Sequence, residues 1–234
     1  MAEFFRRVEK KYILTKKQYL EIKKNIEEKM IEDFHGKSTI CNVYYDSPDF
    51  RLIRNSITKP VYKDKIRVRS YNTPKKDDTV FLEVKRKYQE VVSKRRIGIK
   101  LNDFYKKELE VGSAEKQVKN ELDYYFKFYN LEPKMYVSYY RRAYFDKIDD
   151  NFRLTFDSNI QARNYDLKLE KGPYGEYILE PDKYVMEIKT IGAIPLWFVE
   201  LLNSINARPC GYSKYGEAYT QIELKANTVK ECVI

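Results

Sequence analysis

Residues 80–88, VFLEVKRKY, put Glu83, Lys85 and Lys87 on alternate positions beside Phe81, with Val80, Leu82, Val84 and Arg86 on the positions between them. Side chains alternate across a β-strand, so this segment has one charged face and one largely apolar face. The same sorting recurs. Arg67 and Arg69 oppose Ile66 and Val68, while Lys94 and Arg96 oppose Arg95, Ile97 and Ile99. Arg153, Thr155 and Asp157 oppose Phe152, Leu154 and Phe156, and Glu187 and Lys189 oppose Met186 and Ile188. A sheet with one wet face produces such alternation by itself. Surface strands, however, usually dilute charge with Thr, Ser and Gln, whereas these concentrate Arg and Lys around isolated carboxylates.

Further segments fill in the architecture. Residues 15–30 read as an amphipathic helix, capped by Thr15 and buried through Tyr19, Ile22, Ile26 and Met30. A strand is expected at 39–45 and a short helix at 49–55. An antiparallel meander follows over 65–71, 79–88 and 91–101, with a tight link near Gln89-Glu90. Residues 102–130 suit two helices broken at Gly112, with Leu109, Val118, Leu122, Tyr125, Phe126 and Tyr129 on their apolar sides. Strands are expected at 134–146, 152–167 and 183–192, and a helix at 195–206 that opens on Pro195. Helices between strands need an apolar sheet face to pack on, which would leave the charged faces directed at one another inside a closed barrel.

An interior lined with cations is costly unless something anionic and multivalent fills it. Phosphate chains suit the residue types. Arg offers bidentate contacts to phosphate oxygens and Lys a point charge, and a few carboxylates can hold Mg²⁺ or Mn²⁺ through oxygen. Phosphoryl transfer asks a protein mainly to position and neutralise, so such a lining suits a catalyst. The chain's formal charge of +10 agrees with an anionic partner. Its 22 tyrosines read as amphipathic strand residues rather than as stacking platforms for bases, so no nucleic acid is expected.

Other chemistries find little support. No P-loop or Rossmann glycine pattern is present. The one histidine, His35, lies in the loop-like DFHGKS and reads as an ordinary loop residue. Cys41, Cys210 and Cys232 have no metal-ligand spacing. The N-terminus lacks the marks of a signal peptide and no apolar run approaches membrane-spanning length, so a cytoplasmic protein without a membrane segment of its own is expected.

The order VEKKY, IRVRSY, FLEVKRK, SKRR, YYRRAYF, FRLTFD, VMEIKT and SKYG resembles the VTC polyphosphate polymerase domain of the triphosphate tunnel metalloenzyme superfamily. The resemblance spans roughly residues 4–221. It implies an α+β fold: a closed eight-stranded antiparallel β-barrel, the triphosphate tunnel, with helices outside, forming one domain over 1–225 before a tail at 226–234. It implies transfer of the terminal phosphate of ATP to a growing inorganic polyphosphate chain, with Mn²⁺ or Mg²⁺ as cofactor. Carried over by motif, Lys11, Arg67, Arg69, Lys85, Arg142, Arg153, Lys189 and Lys214 would act at triphosphate or product. Lys87, Lys94 and Arg96 would bind substrate phosphate. Glu187 would be the principal metal ligand, with Glu83 and Glu9 as further acidic groups. Hydrolytic tunnel enzymes typically begin with Glu-x-Glu-x-Lys. Here the start is Glu9-Lys10-Lys11-Tyr12, which favours transfer over activation of water. A tunnel triphosphatase and a non-catalytic polyphosphate or nucleic-acid binder remain the alternatives, and a membrane partner and the oligomeric state stay open.

Overall fold

A computed structural model describes residues 7–34, 36–58, 61–89, 91–108 and 110–224. His35, Glu90, Leu109, Cys232 and the expected tail at 226–234 lie outside them. The elements run β1 (Arg7–Thr15), α1 (Lys16–Ile26), β2 (Met30–Glu32), β3 (Ser38–Asp46), α2 (Arg51–Ile57), β4 (Tyr62–Tyr71), β5 (Thr79–Tyr88) and β6 (Val91–Lys100). They continue with α3 (Leu101–Lys106), α4 (Lys116–Phe128), β7 (Glu132–Asp146), β8 (Arg153–Arg163), β9 (Glu176–Tyr177), β10 (Lys183–Ile191), α5 (Leu196–Ser204), β11 (Pro209–Cys210) and α6 (Lys214–Ala218). The chain is therefore α+β with antiparallel pairing. It divides into two compact units. One draws on Met1–Ser38, Tyr139–Ile160 and Leu179–Ser213, the other on Thr39–Ser138, Gln161–Ile178 and Lys214–Ile234.

In the first unit the ladder order is β11-β1-β10-β8-β7, with β2 also on β7. Its core gathers Tyr12, Leu14, Leu154, Phe156, Met186 and Ile188 from the strands, Tyr19, Ile22 and Ile26 from α1, and Phe198, Leu201 and Leu202 from α5. Thr15 caps α1 as expected: its hydroxyl accepts from the Gln18 amide, and the Gln18 side chain accepts from the Thr15 amide. The helix ends at Ile26, earlier than its apolar spacing suggests. Met30 is buried from the short strand β2, where it pairs with Asp146 of β7. A residue at helical spacing is thus claimed by a sheet edge.

In the second unit the order is β7-β3-β4-β5-β6. Val43, Ile66, Val68, Val80, Leu82, Val84, Ile97 and Ile99 form the strand side of its core, met by Leu101 of α3 and Leu122 and Tyr125 of α4. The break between these helices comes before Gly112: Lys107 turns the chain with a φ of 63°, and its amide caps carbonyls of α3. Among the described residues β6 ends one ladder and β11 the other, each with a single strand neighbour. The pairings therefore give an antiparallel sheet order with ends, in place of the closed eight-stranded ring expected from sequence. The short strands β2, β9 and β11 were too brief to register as periodic patterns. No helix among the described residues is long and apolar enough to cross a membrane.

Candidate functional site

Each unit has a charged strand face opposite its core, and ladder register fixes which residues share it. In the second unit, Tyr44, Arg67, Glu83 and Arg96 form one row across β3, β4, β5 and β6. Asn42, Arg69, Phe81 and Gly98 form the next. On the other side lies Lys65, Lys85 and Lys94, and beyond it Lys63 opposite Lys87. The face that VFLEVKRKY raised is thus predominantly cationic.

Glu83 is its electrostatic centre, with 1% of its surface exposed. Arg67 Nε donates to its Oε2 at 2.8 Å, Arg69 Nε lies 3.8 Å from the same oxygen, and Lys94 Nζ lies 2.7 Å from Oε1. Burial alone would raise this carboxyl, but the three cations overcome that and hold it down at about 2. Burial also pushes the Lys94 amine down to about 8, despite the opposing pull of Glu83. Glu83 therefore acts as the counter-ion of a cation cluster. Its position among three cations, rather than beside another carboxylate, is where the structure places the residue expected as a further acidic group.

The arginines are braced from behind. Arg69 Nε donates to Asn42 Oδ1 at 3.0 Å, and Arg67 Nη1 donates to the Tyr44 hydroxyl at 3.1 Å. The Tyr44 ring stacks on Tyr215 at 4.5 Å. The Tyr215 hydroxyl donates to Asp46 Oδ2 at 2.9 Å, and the same buried carboxylate accepts the Leu52 and Ile53 amides at the start of α2. Burial raises the Asp46 carboxyl against these donors. Lys214 opens α6 one residue before Tyr215, so the SKYG motif is fixed to β3 through this anchor. Arg96 shares a row with Glu83, yet its guanidinium lies over the Phe81 ring at 4.6 Å.

In the first unit the charged face alternates in sign. Lys11, Glu187 and Thr155 form one row across β1, β10 and β8, and Glu9, Lys189 and Arg153 the adjacent one. Lys11 Nζ donates to the Tyr212 carbonyl at 3.0 Å and lies 3.8 Å from Glu9. Lys189 Nζ lies 3.1 Å from Glu187, and Arg153 Nε donates to the Asp150 carbonyl at 3.1 Å near the strand end.

Of the paired arginines in YYRRAYF, it is Arg141 that stands on this face. It makes a bidentate contact to the fully buried Asp157, with distances of 2.6 and 2.8 Å. Arg142 points the other way and forks onto Glu32 of β2 at 2.8 and 3.1 Å. Strand parity places Arg142, expected at the phosphate site, on the opposite face. Core residue Tyr144 shares the even positions with Arg142, so Arg141 takes the face opposite. The parity that adds Lys63 and Lys65 to Arg67 and Arg69 was present in the sequence.

Among the described residues no three His, Cys, Asp or Glu side chains gather into a metal cage. Glu9 and Glu187 nevertheless stand in adjacent rows of adjacent strands on one face. A hard cation that shares phosphate oxygens needs only one or two carboxylates. The pair offers the oxygen donors that a hard divalent cation takes, with Glu187 the more enclosed of the two.

Solved structures of similar fold were found at low sequence identity. A candidate adenylyl cyclase from Hippeastrum, described as having a dominant triphosphatase activity, aligns with a TM-score of 0.51 at 12% identity, covering 92% of this chain and 95% of that one. A candidate adenylate cyclase from Vibrio parahaemolyticus aligns with a TM-score of 0.50 at 14% identity, covering 92% and 98%. Against the curated proteins the chain has no match. The VTC domain family matches residues 6–223, nearly the whole sequence, and by that match this chain belongs to the VTC domain family.

Proposed function

We propose that the protein is a polyphosphate polymerase. The terminal oxygen of an inorganic polyphosphate chain attacks the γ-phosphorus of ATP, the bond from that phosphorus to the β-phosphate oxygen breaks, and ADP leaves with the chain one phosphate longer. In this reading the chain forms one domain over residues 1–225, as the family resemblance implies. The observation that carries the proposal is the cluster around Glu83. Arg67, Arg69 and Lys94 converge on one buried carboxylate while Lys65 and Lys85 add charge in the next row, an excess suited to a multivalent phosphate.

The residues divide the work. Arg67 and Arg69, held by Tyr44 and Asn42, orient phosphoryl oxygens through fixed guanidinium planes. Lys11, Arg153, Lys189 and Lys214 supply further positive charge to substrate or product. Arg141 in place of Arg142 joins this set. A divalent cation on Glu187 and Glu9 supplies neutralisation of phosphate charge when bound. The Glu9-Lys10-Lys11 start has few carboxylates to activate water, which supports transfer to a phosphate acceptor.

Hydrolysis of triphosphate is the second reading, favoured by the activity described for the Hippeastrum relative. Incubation of the pure protein with ATP and Mn²⁺ separates the two. Long-chain polyphosphate with one ADP per phosphate unit incorporated is the expected product, and orthophosphate without polymer would establish the hydrolase instead.

A further inference from the structure

Arg67 and Arg69 stand two residues apart on β4 and share one carboxylate, but the supports behind them differ in kind. Asn42 Oδ1 accepts from Arg69 Nε, and Asn42 Nδ2 donates to the Val137 carbonyl of β7 at 3.0 Å. That brace begins and ends within the sheet. It is complete once β7, β3 and β4 are paired.

The brace on Arg67 runs further. Tyr44 lies opposite Arg67 in the ladder, and its hydroxyl accepts from Nη1 at 3.1 Å. A hydroxyl at the tip of a long ring is only as well placed as the ring itself. The Tyr44 ring lies against Tyr215 with the two planes 9° apart, and both side chains are buried. Tyr215 is placed in turn by its hydroxyl, which donates to Asp46 Oδ2 at 2.9 Å. The Asp46 carboxylate also accepts the Ser47 and Leu52 amides at 2.8 Å and the Ile53 amide at 3.0 Å. Three backbone donors at the entry to α2 thus hold the acceptor on which α6 is seated.

We propose that Tyr44 and Tyr215 are positioning residues for Arg67, so that the seating of α6 on Asp46 sets how firmly the cation cluster grips phosphate. The proposal rests on the phosphate reading of the cluster around Glu83, and it applies to transfer and hydrolysis alike. A guanidinium engages two phosphate oxygens only when its plane is aligned with them. Donation from Nε to Glu83 and from Nη1 to Tyr44 holds the Arg67 plane at two points. With the second point lost, the plane can turn about the first. Arg69 keeps its alignment, because Asn42 is anchored without α6.

The test titrates wild type, Tyr44→Phe, Tyr215→Phe and the double variant with tripolyphosphate in a calorimeter, without ATP, and records the thermal midpoint of each. Both replacements keep the ring and remove only the hydroxyl. Tyr44→Phe is expected to weaken binding roughly tenfold and Tyr215→Phe roughly three- to fivefold. The double variant should bind as Tyr44→Phe does, because a ring without its hydroxyl has nothing to pass on to Arg67. The fall in thermal midpoint from Tyr215→Phe should by contrast appear in both backgrounds, since Asp46 loses a donor in each. A merely structural Tyr215 would weaken binding by the same factor with or without the Tyr44 hydroxyl. Unchanged binding in Tyr215→Phe, or losses that multiply in the double variant, would therefore overturn the positioning role alone. A wild-type protein that does not bind tripolyphosphate would overturn the phosphate reading and this proposal with it.

Discussion

The two charged faces are built from the same strand alternation and solve different electrostatic problems. On the first unit, Glu9 and Glu187 alternate with Lys11 and Lys189 in adjacent rows, so each cation has a carboxylate beside it. On the second, Arg67, Arg69 and Lys94 converge on Glu83, and Lys65 and Lys85 stand in the next row. In the proposed reading the first face, where acids and bases nearly balance, would share a cation with phosphate, and the second, where cations predominate, would take the anion itself. The same strand alternation thus carries two different charge patterns, and charge parity alone does not define a site. The sign at each row does.

The sharpest way to break that contrast is Glu187→Gln. Turnover of ATP should fall by roughly 100-fold or more, in line with loss of a ligand to a catalytic cation. Tripolyphosphate binding measured without metal should persist, since the cationic face is intact. Full activity in this variant would remove the metal role from the first unit.

Glu83→Gln tests the other face and should act on stability first. Removing a buried partner leaves Arg67, Arg69 and Lys94 around a neutral amide, a change of about 3–5 kcal/mol by analogy with broken buried pairs. The thermal midpoint should drop, and added tripolyphosphate should restore more of it than in wild type, because the ligand takes over the lost negative charge. A variant as stable as wild type in the absence of anion would show that the cations repel less than their geometry indicates.

Lys94 offers the smallest and most specific effect. Its amine is pushed down to about 8 from 10.5, and anions bind the protonated form. Affinity for tripolyphosphate should therefore be full below pH 8 and fall roughly three- to tenfold as pH rises past it, and Lys94→Arg should abolish that fall. The stability of the free protein moves the other way. A depressed lysine binds fewer protons folded than unfolded between about pH 8 and 10.5, so its contribution rises slightly across that window. Lost binding there is consequently not unfolding, and a thermal scan at each pH distinguishes the two.

Much of this was legible from period-two patterns. Strands β4, β5, β8 and β10 follow from alternation, and Glu83, Lys85 and Lys87 share a face as their spacing requires. What escaped depended on tertiary partners. Whether Arg141 or Arg142 joined the charged face required the phase of β7, which is set by burial of Tyr136 and Tyr144 on its even positions. The counter-ion role of Glu83 required its three neighbours from β4 and β6. A carboxylate in a strand reads alike in sequence whether it holds a metal or a cluster of arginines. Closure of the sheet was expected from helices covering its apolar face and from family likeness, and no local pattern encodes it.

The anchor of α6 has a consequence in time. Tyr215 and Asp46 are 169 residues apart in the chain, and their contact also seats the ring against which Tyr44 supports Arg67. Contacts of such sequence separation close late, after the loop entropy between them has been spent. Arg67 therefore gains this support only after the segment that carries Tyr215 has been made and has packed against β3. A chain made only as far as β6 would carry these cations without the contacts that hold Arg67 in place.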